Sequence, residues 1–110
     1  MSDRKLVMVG CINRSVCDRE IRNTEEMLDS YGFWNRSDKL RGVVKIPSVE
    51  ICFVSIHDLR SILGCRCNGC YGFNTKETEY LTRGKNECEG IELLDYITKI
   101  EMEMNNNGKI

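Results

Sequence analysis

Apolar positions along this chain fall into short continuous runs and helically spaced sets, divided by polar stretches that carry glycine. Leu6-Val7-Met8-Val9 is a continuous apolar run ending at Gly10, the pattern of a central strand buried on both faces. Ser15 with Asp18 offers an N-cap and an acid in the first turn of a helix. Val16, Ile21, Met27, Leu28 and Tyr31 then place apolar groups on one side, and Gly32 closes the helix. Residues 5–32 therefore predict strand, loop and helix, the opening of a βαβ unit.

Phe33 to Leu40 is polar apart from its aromatics and predicts a surface connection anchored by Phe33 and Trp34. Pro47-Ser48 between two β-rich runs predicts a hairpin, with strands near 42–46 and 49–56. A short turn of helix is expected over Leu59–Leu63, closed by Gly64. The dense segment from Cys65 to Phe73 reads as a metal loop or as another strand. Thr75 begins a short helix ending near Gly84, and Ile91, Leu94, Tyr96, Ile97, Ile100 and Met104 are spaced for a closing amphipathic helix. The expectation is one small α/β domain over residues 1–104, a short mixed or parallel sheet flanked by helices, with a flexible tail at 105–110.

Composition keeps that picture and removes some functions. The chain has 110 residues, 41% hydrophobic and 30% charged, a globular balance with room for one modest core. With 16 basic and 17 acidic residues, the total supplies no general attraction to nucleic acid or anionic lipid, so any such affinity must be local. Leu6 to Gly10 is too short for a signal peptide or a spanning helix, which predicts a cytoplasmic protein, of the host cell if viral, with no membrane partner. The seven cysteines are odd in number and irregularly spaced, which predicts reduced thiols or metal ligands rather than a secreted disulfide scaffold.

Several residue sets could carry chemistry. Cys65-x-Cys67-x-x-Cys70 has a spacing that lets thiolates wrap one tetrahedral zinc, with Cys88 or His57 completing the set. The competing reading is that these cysteines act as small hydrophobes in a buried strand or loop. Cys67-x-x-Cys70 is also the spacing of a redox pair, although it does not open a helix after a strand. Arg14 and Ser15 follow a strand and open a helix, where amides can hold an anion, but no glycine-rich phosphate motif surrounds them. Arg36, Lys39, Arg41 and Lys45, beside Phe33 and Trp34, could grip a phosphate chain while an aromatic stacks a base.

From residue 5 to about 80 the order of elements resembles part of the core of the P-loop ATPases of the large-terminase and helicase kind. Leu6 to Ser15 is similar to the strand and loop after that family's nucleotide-binding helix. Val43 to Ile56, with Arg60 to Gly64 and Asn68 to Phe73, is similar to the stretch leading into its acidic metal-binding strand. The chain departs from the family in having no glycine-lysine phosphate loop, and in carrying Gly72-Phe73-Asn74 where the paired acids would stand. The resemblance thus implies a reduced relative without ATP chemistry, a scaffold or binding partner such as a small bacteriophage accessory protein.

Sequence alone therefore predicts a non-enzymatic binding or regulatory protein whose partner is another protein, with nucleic acid as a further possibility and no cofactor. The alternatives are a zinc-stabilised module binding protein or nucleic acid, and a cysteine-dependent enzyme pairing a thiol with His57.

Overall fold

The computed structural model describes residues 4–57 and 66–107. Its elements run β1 (Lys5–Cys11), α1 (Arg14–Ser30), β2 (Arg36–Asp38), β3 (Val43–Lys45), β4 (Val49–Ser55), β5 (Gly69–Tyr71), α2 (Thr75–Thr82) and α3 (Leu93–Asn107). The helix expected over Leu59–Leu63 lies outside the described residues. Among the described residues, five strands form one mixed sheet in the order β2-β3-β4-β1-β5. β1 is parallel to both β4 and β5, whereas β3 is antiparallel to β4 and to β2. This is an α/β fold of mixed sheet and helices, as the hydrophobic pattern predicts.

The most apolar strands occupy the centre. Lys5 to Cys11 pairs residue for residue with Val49 to Ser55, and Val7 and Ile51 are fully buried. The predicted hairpin forms at Pro47-Ser48, where the Ile46 N–H donates to the Val49 carbonyl at 2.9 Å. Strand side chains alternate, so the sheet has two distinct faces. On one, Val7, Val44, Val49, Ile51 and Phe53 pack with Cys17, Ile21 and Leu28 of α1 and with Tyr96, Ile97 and Ile100 of α3. On the other, Met8 and Cys70 pack with Cys67 and with Leu81 of α2, beside the partly buried Leu6, Cys52 and Val54.

Three local expectations change. Asn13, not Ser15, caps α1: its side chain accepts from the Val16 N–H at 3.0 Å, and Ser15 lies exposed in the first turn. Phe33–Leu40 is not only a connection, because Arg36, Ser37 and Asp38 pair with Lys45, Val44 and Val43 to make β2. That strand arises from the free edge β3 offers rather than from any propensity of its own sequence. The segment from Cys65 to Phe73 resolves, from residue 69, into strand β5. Gly32 does close α1 with φ of 77°, while Gly32 N–H donates to Asp29 and Phe33 N–H to Leu28, a Schellman arrangement. α3 continues to Asn107, so the helix runs past Met104 into the tail predicted over 105–110.

Candidate functional site

The β2–β3 end of the sheet gathers most of the cations singled out in the sequence. Pairing of Arg36 with Lys45 and of Asp38 with Val43 sets these residues on one face, the same one that carries Cys52 and Met8. A groove of about 690 Å³ opens there, walled by Arg4, Arg36, Lys39 and Lys45 and completed by Trp34, Ser37, Asp38, Leu40 and Val43. Its lining holds four basic side chains against one acidic one, in a chain whose total charge is −1. Trp34 is 59% exposed and Leu40 89%, so both apolar groups stand at the mouth in water.

Hydrogen bonds hold several wall residues in place. Arg4 Nε donates to the Ile46 carbonyl at 3.0 Å, which anchors its guanidinium at the groove wall. Asp38 Oδ1 accepts from the Arg41 N–H at 3.2 Å, so the one acid in the lining is occupied in closing the β2–β3 turn. Lys45 Nζ stands 4.0 Å from Glu50 Oε1, a half-buried pair at the limit of ion-pair distance and of small energetic weight. On the opposite side of β2, Ser37 is hydrogen-bonded to Glu25 of α1, which ties the strand to the helix.

Of the anion contacts expected from sequence, the structure brings Arg36 and Lys39 into the groove together with Lys45. Arg14 instead donates to the Leu40 carbonyl at 3.4 Å, bracing the turn from outside. Ser15 and Arg41 are exposed and do not line the groove. Arg4 is the residue that the sequence reading omits. It lies far along the chain from Trp34–Lys45, and only the pairing of β1 beside β4 carries it to this end.

The sulfur set divides. Cys65 lies outside the described residues. Cys67 and Cys70 share the core on the α2 face, and their side chains hydrogen-bond to each other. Cys70 Sγ also lies 3.7 Å from Thr78 Oγ1. The Cys67 hydrogen bond, helped by Thr78 and against the effect of burial, draws the Cys70 thiol down to about 7. Giving that bond, together with its own burial, pushes Cys67 well up. Cys88 belongs to the core on the other face, where burial lifts its thiol to about 11. It packs directly on Gly69, and because Gly69 and Cys70 are consecutive in a strand, the sheet stands between Cys88 and the Cys67–Cys70 pair. Among the described residues, no group of three or more His, Cys, Asp or Glu is placed to hold a metal ion.

A second thiol pair, Cys11 with Cys17, is hydrogen-bonded inside the core between β1 and α1. Their spacing resembles no motif, and only the turn from β1 into α1 brings them together. His57 is exposed just past β4, its N–H donating to Ser55 Oγ at 3.3 Å. Among the described residues, no helix is long and apolar enough to cross a membrane. No family model, no curated protein and no solved structure matches this chain.

Proposed function

We propose that this chain is a non-enzymatic binding protein and that the groove at the β2–β3 end holds a stretch of single-stranded nucleic acid. The observation that carries the reading is the exposed indole of Trp34 on the same groove as Arg4, Arg36, Lys39 and Lys45. Cations track a phosphodiester backbone, and an exposed aromatic gives an unpaired base a surface to stack on. Duplex nucleic acid would satisfy the cations but leave the indole without a base face, so the single strand is favoured. Such binding suits a small accessory protein of the bacteriophage type, acting without ATP chemistry.

Trp34 is the only tryptophan, so intrinsic fluorescence reports directly on the groove. Titration with a single-stranded oligonucleotide at low salt should quench it saturably. The logarithm of affinity should fall with the logarithm of salt at a slope of about −3, as expected for about four neutralised phosphates on a single strand. Arg36→Ala should weaken binding and reduce that slope by about 0.7. Absence of quenching at low salt would refute the reading. Equal binding of polyglutamate would identify an acidic protein segment as the ligand instead.

A further inference from the structure

Cys67 and Cys70 form a buried, hydrogen-bonded thiol pair, yet one of the two reaches a surface depression. Cys67 lines a pocket of about 440 Å³ together with Arg66, Asn68, Thr82, Arg83, Lys85 and Glu87. Cys70 does not line it and is 4% exposed behind Cys67, against Thr78 of α2. Three cations, Arg66, Arg83 and Lys85, stand around the thiol. Arg66 also lies over the Tyr80 ring at 4.3 Å, and the one acid, Glu87, is paired with Lys5 at 3.5 Å. Cys67 is itself 9% exposed at the floor of this pocket, with Cys70 behind it and cations on the approach, an arrangement that thiol–disulfide exchange can use.

We infer that Cys67 and Cys70 are a thiol–disulfide exchange site whose substrate is an anionic low-molecular-weight disulfide bound among Arg66, Arg83 and Lys85. Cys67 passes its proton along the hydrogen bond to Cys70 and attacks one sulfur of the substrate. The substrate S–S bond breaks, a mixed disulfide forms on Cys67, and the first small thiolate leaves and takes up a proton from solvent. Cys70, giving up its own proton, then attacks Cys67 Sγ and expels the second small thiol. Starting as one thiol and one thiolate, the two cysteines lose two electrons and one proton, and the substrate disulfide gains the two electrons and, with the second proton from solvent, leaves as two thiols. The inference is independent of the groove, which lies at the other end of the sheet.

The Cys11–Cys17 pair is an internal control, since it too is a pair of interacting thiols but is buried inside the main core, at 4% and 3% exposure. The test exposes the full chain to glutathione disulfide, blocks remaining thiols, digests with trypsin and maps disulfides by mass spectrometry. Cleavage after Arg66 separates Cys65 from residues 67–76, which hold Cys67, Cys70 and no other cysteine. The expected result is an internal disulfide in that peptide, with Cys11 and Cys17 still blocked as thiols. Cys70→Ser should trap one glutathionyl group on Cys67, whereas Cys67→Ser should leave Cys70 unmodified. Arg83→Glu should slow the reaction with glutathione disulfide by about tenfold and speed that with cationic cystamine. Oxidation of Cys11–Cys17 first, modification confined to Cys65, equal rates with both disulfides in the parent chain, or stoichiometric zinc that blocks the pair would each overturn the inference.

Discussion

Gly69 shows how one missing side chain sets the layout of the sulfur groups. A Cβ at this position would come within 2.9 Å of Cys88 Cβ and of the Cys88 amide nitrogen, and closer still to Cys88 Sγ. Only glycine lets the chain after α2 fold down onto β5, which puts Cys88 on the α3 side and leaves Cys70 on the α2 side. Gly69→Ala should therefore destabilise the protein by about 1–3 kcal/mol through overpacking, read from the urea midpoint. Combined with Cys88→Ala, it should cost less than the sum of the single changes, since the alanine removes the sulfur that clashes but not the backbone nitrogen. A strictly additive pair would mean that the two residues do not meet. Gly69 looks in the sequence like flexibility for a metal loop, and its role in packing is visible only once Cys88 is seen above it.

Among the elements, β5 depends most on groups beyond its own pairing. It has three residues and, among the described residues, ends the sheet and pairs only with β1. Asn86 stands where a further strand would lie: its Oδ1 accepts from the Cys70 and Cys88 N–H groups, each at 3.0 Å, and its Nδ2 donates to the Cys70 carbonyl at 3.2 Å. One side chain thus covers the open edge of β5 and fixes the loop that carries Cys88. Asn86→Ala should cost about 3 kcal/mol, about 1 for each hydrogen bond, with faster amide exchange at Cys70 and Cys88. Asn86→Asp, which retains the acceptor, should cost less. Unchanged exchange at both amides would show that the edge is held by something else. Nothing in the pattern of apolar positions points to Asn86, because an edge-capping amide is polar, isolated and distant in sequence from what it caps.

For the molecule as a whole, the buried thiols give stability a distinctive dependence on pH. Burial and the neighbouring Cys17 raise Cys11 to about 12 from an ordinary 9.0, and burial raises Cys88 to about 11. Cys67 is raised as well, by its hydrogen bond to Cys70 and by burial. Above pH 9 the unfolded chain releases these protons while the folded chain keeps them, so stability falls as pH rises. Cys70, drawn down to about 7, works in the other direction. Between about pH 7 and 9 it is ionised only in the folded state, so its contribution is complete above 9 and is lost as pH falls through 7. Stability should peak near pH 9 and decline beyond it by up to about 1.4 kcal/mol per pH unit for each retained proton. Urea midpoints from about pH 6 to 11 check this, and a flat profile above 9 would contradict burial of these thiols.

Sequence by itself determined the elements whose signal is local. The apolar runs at Leu6–Val9 and Val49–Ile56, the hairpin at Pro47-Ser48, the Gly32 stop and the helical spacing from Ile91 each reflect burial or backbone geometry within a few residues. Tertiary structure decided what depends on contact between distant segments. It made β2 from a polar stretch, moved Arg4 into a wall shared with Trp34 and Lys45, joined Cys11 to Cys17, and set Cys88 across the sheet from Cys67 and Cys70. The physical reason is that strand pairing fixes which face each side chain takes, and a face is a property of two strands in register rather than of one sequence.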